Sequence, residues 1–178
     1  MKVFLIGYMG CGKTSLGRKL AKKYSMKFID LDNLIVSQRG KSIVDIFYTE
    51  GENQFRLYEQ TDLHSLVNEK SVIISTGGGT PCFFNNMGWM NKTGKTVFLN
   101  ISLDVLIKRL TQNRKILKRP LLKNKSIDEV KNFIRLSWEK RLPFYQKAKY
   151  IISSDYIEKD KTLDLLPISF FKLLNSRN

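Results

Sequence analysis

The stretch GYMGCGKT at residues 7–14 constrains this chain more than any other. It fits the pattern GxxxxGK[ST], follows the apolar run KVFLI (2–6) and opens the segment 13–24, where Leu16, Leu20, Ala21 and Tyr24 recur at helical spacing. The run reads as a buried strand and the segment as an amphipathic helix. A glycine-rich turn between the two lets backbone N–H groups face inward, and the next helix points its positive end at the same spot. Phosphate is the occupant this geometry suits. Lys13 adds a full cation for β- and γ-phosphates, and the Thr14 hydroxyl is a ligand for Mg²⁺. Gly10, Cys11, Gly12, Lys13, Thr14 and Ser15 are therefore the expected nucleotide-binding residues, with Lys13 also catalytic.

The rest of the chain alternates in the same way. KFIDLD (27–32), SVIIS (71–75), KTVFLN (95–100) and YIISS (150–154) read as four further strands. Residues 42–70 read as mostly helical with a break at Gly51, and 102–110 as a helix capped by Ser102. Residues 126–148 open with Ser126 and place Glu129 three positions on, the pattern of a capping box. The closing TLDLLPISFFKLLN reads as a helix disturbed near Pro167. Strands alternating with amphipathic helices predict an α/β fold, a parallel sheet covered on both faces. The length of 178 residues suits a single domain. Ligands of such sheets bind beyond the carboxyl ends of the strands, which is where the chemically notable residues fall.

Asp30 and Asp32 end the second strand, and residues two apart on a strand point the same way. One carboxylate beside a phosphate loop suits Mg²⁺, directly or through water, and the other suits a substrate hydroxyl. Arg56 and Glu59 stand three apart on a helix face, where they can pair, and Arg is the preferred fork for a carboxylate ligand. Gly77, Gly78 and Gly79 follow the third strand, so backbone there either turns sharply or passes close to a ligand. The cation-rich 108–119 leads into KRPLL (118–122), which reads as a mobile loop able to bring Arg119 onto a transferring phosphate. Arg141 lies in EKRLPFY (139–145), within a helix before Pro143.

Composition narrows the class. A GTPase would read guanine with NKxD, and the chain offers only NKTG (91–94). ATP and a small-molecule kinase are the better fit. Two cysteines and one histidine leave little for a zinc site and favour a reduced, cytoplasmic setting. No apolar run approaches the roughly 20 residues of a membrane span, and no signal-peptide pattern is present. The net charge of +15 raises a second hypothesis, a nucleotide-dependent RNA-binding module. The cations are spread along the chain and no RNP-type motif occurs, so a solvated surface without a nucleic-acid or membrane partner is preferred.

Together GYMGCGKT, DLD, GKSIVDIF with GENQFRLYE, GGG, RPLL and RLPFY make the chain resemble shikimate kinase, over roughly residues 1–150. The resemblance implies a three-layer P-loop fold of the nucleoside-monophosphate-kinase type, with a five-stranded parallel sheet in the order 2-3-1-4-5. It also implies a substrate-binding helical region at about 32–62, a mobile lid at about 112–125, and a monomer. The reaction implied is transfer of the ATP γ-phosphoryl group to the 3-hydroxyl of shikimate. Asp32 would bind the hydroxyls and help deprotonate the acceptor. Thr14 would ligate Mg²⁺ directly and Asp30 through water. Arg56 and Arg141 would clamp the carboxylate, with backbone contacts from Gly77, Gly78 and Gly79, and Arg119 would stabilise the γ-phosphoryl group. Adenine would stack on Arg109 or Arg114. A gluconate-type kinase needs similar chemistry and is the nearest enzymatic rival.

Overall fold

The computed structural model describes residues 1–112 and 126–153. Arg114, Arg119, nearly all of the expected lid and the expected C-terminal helix lie outside them. Five strands form one parallel sheet: β1 (Lys2–Ile6), β2 (Lys27–Asp30), β3 (Val72–Ser75), β4 (Lys95–Asn100) and β5 (Tyr150–Ser153). Their order is β2-β3-β1-β4-β5, as the resemblance implied. Central β1 pairs with β3 (Phe4 beside Ile74) and with β4 (Leu5 beside Val97). Every residue of β1 and β3 is buried, which is why both read as unbroken apolar runs without polar alternation.

Helix α1 (Lys13–Lys23) returns across the sheet from the phosphate-loop sequence. Its Gly17 lies against Phe28 and Leu5, so the helix approaches the sheet closely. Helices α2 (Leu31–Arg39), α3 (Ile43–Thr49) and α4 (Gly51–Ser65) form a cluster that meets the sheet at β2. Helix α5 (Asn86–Thr93) precedes β4, α6 (Leu103–Gln112) follows it, and α7 (Ile127–Tyr145) packs on α6 and leads into β5. Leu20, Leu106, Leu110, Val130 and Ile134 carry the helical side of a core continuous with Phe4, Ile73, Ile74 and Phe98.

Two local expectations change, and the break expected at Gly51 is present. The second strand stops at Asp30, whose carboxylate accepts the Asn33 backbone N–H at 3.3 Å and caps α2. Asp30 and Asp32 therefore do not share a strand face, because Asp32 belongs to the first turn of a helix. A cap outweighed the strand period, and the spacing of Leu31, Leu34 and Ile35 already carried the helical signal. The expected helix 42–70 is α3 and α4 followed by a 3₁₀ turn, Leu66–Asn68. The break falls at Gly51, whose φ of 85° suits glycine. Helix α5 was not foreseen; it starts from Asn85 in a left-handed conformation with no side-chain cap. The capping box of α7 is present in full, with Glu129 N–H donating to Ser126 Oγ and Ser126 N–H to Glu129.

Candidate active site

The phosphate-loop residues lie between β1 and α1, at the carboxyl end of the central strand. Gly12 takes the cap position of α1 with φ 96°, so the first helical N–H groups are presented without a side chain in the way. Lys13 is 8% exposed, and its ammonium donates to the carbonyls of Gly7 (2.8 Å) and Tyr8 (2.9 Å). Ser15 is exposed in the first turn of α1. Cys11 is buried with its thiol under Gly7 and within 3.5 Å of Lys13 Nζ, so it serves as a small packing residue. Arg109 of α6 donates to the Gly10 carbonyl at 3.4 Å, which places it beside the loop.

Thr14 Oγ1 donates to Asp30 Oδ2 at 2.7 Å and lies 3.3 Å from the Ser75 hydroxyl. Three oxygen-bearing side chains from α1, β2 and β3 thus meet at the strand ends. This is a hard-cation donor set with few protein ligands. Mg²⁺ uses such sets with phosphate and water completing the shell. No group of three or more His, Cys, Asp or Glu side chains able to hold a metal occurs among the described residues, so a protein-only cage is not on offer there.

The three glycines after β3 each face a different group. Asp32 Oδ1 stands 3.1 Å from where a Cβ on Gly77 would lie, and Glu59 stands closer. Gly78 faces the Met9 backbone nitrogen of the phosphate loop (3.2 Å) and Arg141 Nη1 (3.4 Å). Gly79 faces the Arg56 guanidinium, whose Nη1 stands 2.6 Å from its would-be Cβ. One loop therefore lies against the acidic residue, both arginines and the phosphate loop, and only backbone without side chains fits there.

Arg56 is buried, not a surface ion-pair residue. It donates to Glu59 at 2.8 Å and to Glu52 at 2.9 Å, and stacks 4.4 Å from the Phe83 ring centroid. Glu59 is fully buried and also accepts from Thr80 Oγ1 at 2.5 Å. Burial pushes the Glu59 carboxyl up from the usual carboxylate range; Arg56 and Thr80 oppose that, and the nearby Asp32 charge adds to it. Arg141 is half-buried and lies 5.5 Å from the Tyr8 ring centroid; one turn on, burial pushes the Tyr145 hydroxyl well up from its ordinary value, against the pull of the Arg141 charge. Tyr145 in turn donates to the Gly78 carbonyl at 2.5 Å.

The structure thus gathers Lys13, Thr14, Asp30, Asp32, Arg56, Gly77, Gly78, Gly79 and Arg141 at one end of the sheet. Sequence reasoning missed Glu52, Ser75, Thr80, Tyr145 and the Tyr8 side chain. Glu52 and Tyr145 were within reach, since each lies four residues from a singled-out arginine on the same helix. Thr80 and Ser75 depend on tertiary approach and carried no local signal. Chemically the site offers phosphate-binding amides and a lysine, a hard-cation corner, two guanidiniums for a carboxylate, and a carboxylate for hydroxyls.

Comparison with known proteins points to one family. The family described as shikimate kinase matches residues 9–166. The shikimate kinase of Bacteroides thetaiotaomicron is 47% identical over 158 residues, covering 89% of each chain. A crystal structure of shikimate kinase from that organism superposes with a TM-score of 0.84 at 45% identity, over 92% of each chain. The structure of the Acinetobacter baumannii shikimate kinase in complex with shikimate gives a TM-score of 0.80 at 30% identity, covering 99% of this chain and 95% of that one.

Proposed function

Because this chain belongs to the shikimate kinase family, whose reaction moves the ATP γ-phosphoryl group to the 3-hydroxyl of shikimate, we propose how its own residues divide that work. The observation that carries the assignment is the glycine loop, where Asp32, Arg141 and Arg56 stand against Gly77, Gly78 and Gly79 in turn. A ring acid with neighbouring hydroxyls needs cations at one end and an acceptor of protons at the other, and this row supplies both.

Arg56 and Arg141 hold the shikimate carboxylate and fix the ring. Asp32 accepts a hydrogen bond from the 3-hydroxyl and takes its proton as the oxygen attacks the γ-phosphorus. The bond from γ-phosphorus to the β–γ bridging oxygen breaks, and ADP leaves with that electron pair. Gly10, Cys11, Gly12, Thr14 and Ser15 present backbone N–H groups to the phosphates. Lys13 exchanges a loop carbonyl for a phosphate oxygen as ATP enters. Thr14 and Asp30 are the residues that would hold Mg²⁺, the hydroxyl as a direct ligand and the carboxylate through water. When bound, the ion neutralises charge on the β- and γ-phosphates. Arg119, outside the described residues, completes the charge stabilisation from the lid at about 112–125. Arg109, already beside Gly10, is better placed than its sequence alone suggested to support adenine.

We further propose a single domain with its substrate-binding helical region at about 32–62, acting as a cytoplasmic monomer. No helix among the described residues is long and apolar enough to cross a membrane.

An enzyme-linked ADP assay with shikimate, gluconate and nucleoside monophosphates tests the reading. Turnover is expected only with shikimate and only with Mg²⁺ present. Turnover with gluconate or a nucleoside monophosphate in place of shikimate would overturn it.

A further inference from the structure

Tyr8 occupies an unusual place in the phosphate loop. Its backbone carbonyl accepts from Lys13 Nζ at 2.9 Å, while its side chain points away from the loop and is 1% exposed. The hydroxyl hydrogen-bonds Ser137 on α7. Ser137 has one hydroxyl proton, and its Oγ lies 2.6 Å from the Phe133 carbonyl, the better of its two carbonyl acceptors. Ser137 therefore spends its proton within α7, and Tyr8 is the donor between the two. The face of the Tyr8 ring lies 5.5 Å from the Arg141 guanidinium carbon, one turn further along the same helix. Tyr145, one turn beyond Arg141 on the same helix, ties its hydroxyl to the Gly78 carbonyl, and Arg141 Nη1 lies beside Gly78 as well.

We propose that Tyr8 is a positioning residue that joins the nucleotide loop to the acceptor-binding arginine. Its hydroxyl anchors α7, and its ring holds the Arg141 guanidinium flat and partly desolvated by cation–π attraction. This role follows only if Arg141 binds the acceptor carboxylate. The division between backbone and side chain gives it a distinct signature. A side-chain substitution leaves the carbonyl that Lys13 uses, so the nucleotide half of the loop keeps its contacts. The acceptor half loses the support of its arginine.

Steady-state kinetics that separate the KM for shikimate from the KM for MgATP test this. Tyr8→Leu is expected to raise the shikimate KM about tenfold and the MgATP KM less than about twofold. Tyr8→Phe and Ser137→Ala each remove the same hydrogen bond. Each is expected to raise the shikimate KM about threefold, and the double variant no more than either alone. Equal rises in both KM values, no rise in either, or additive effects of Tyr8→Phe and Ser137→Ala would overturn the role. If Tyr8→Leu fails to fold, the milder pair decides by itself. Arg141→Ala separates the two layers. A raised shikimate KM in that variant with unchanged Tyr8 variants removes Tyr8 alone. An unchanged shikimate KM in Arg141→Ala removes the carboxylate reading and the Tyr8 role together.

Discussion

Arg56 is held from three sides by Glu52, Glu59 and the Phe83 ring, so it has little freedom to yield. That makes Gly79 a sensitive position. A methyl group there would stand 2.6–2.7 Å from three guanidinium atoms that are pinned by carboxylates. Gly79→Ala is expected to cost about 1–3 kcal/mol of stability through this overpacking, read as a lower urea midpoint, and to raise the shikimate KM. An unchanged KM would mean that Arg56 does not hold the substrate. Asp32→Asn keeps shape and removes the proton acceptor. It is expected to lower kcat by at least about a hundredfold while ATP binding, followed by nucleotide fluorescence, is retained. An unchanged kcat removes Asp32 from the chemistry. These residues were legible in different degrees. Lys13, Thr14 and the glycines follow from local spacing alone. Asp32 was singled out on a strand spacing that the structure replaces, since the chain leaves the sheet at Asp30. The Glu59–Thr80 contact joins residues 21 apart and no local pattern encodes it.

At the scale of elements, the acceptor side depends on how α2, which carries Asp32, docks on α4, which carries Arg56. Arg39 at the end of α2 donates to Asp62 of α4 at 3.0 Å and stacks 4.2 Å from the Tyr58 ring centroid. Asp62 is buried, and burial pushes its carboxyl up from the ordinary range against the pull of Arg39. Removing one partner strands the other. Arg39→Met is expected to cost about 3 kcal/mol, and Arg39→Met with Asp62→Leu to recover most of it. Equal losses in the single and double variants would show that the pair does not hold the helices together. The alternation of strands and helices was readable because β1, β3 and β4 are short and apolar and the helices have clear faces. Helix α2 was obscured because Asp30 serves both as the last residue of a strand and as a cap. Helix α5 was obscured because it has eight residues and no capping side chain.

Across the whole molecule the charge is uneven, with 31 Lys and Arg against 16 Asp and Glu. Several acids are already engaged, as in Lys27–Glu69 and Lys41–Glu50, so the remaining field is strongly positive and opposes compactness. Screening over a Debye length of about 10 Å at 0.1 M salt relieves that repulsion. Acid adds a second load through His64, the chain's only histidine. Its ring stacks on Trp89 with centroids 4.5 Å apart, and its Nε2 is buried without a hydrogen-bond partner among the described residues. Lys2 is the charged group facing the same indole, 5.8 Å from the ring centroid. Burial therefore holds the imidazole below its ordinary value of 6.5. On acidification the unfolded chain takes up this proton first, so stability falls as pH drops from near 7 through that window and the loss is complete below the folded value. Glu59 acts with the opposite sign, because its carboxyl is raised: its share is present at low pH and is lost as pH rises through its folded value. Comparison with His64→Phe isolates the histidine, since the variant keeps an aromatic ring against Trp89 and leaves Glu59 untouched. The urea midpoint of the parent is expected to fall more between pH 7 and pH 5 than that of the variant, and the imidazole resonances are expected to titrate below 6.5. Parallel pH profiles, or a midpoint at or above that value, would show that the His64 ring is not held in its neutral form by the contact between α4 and α5.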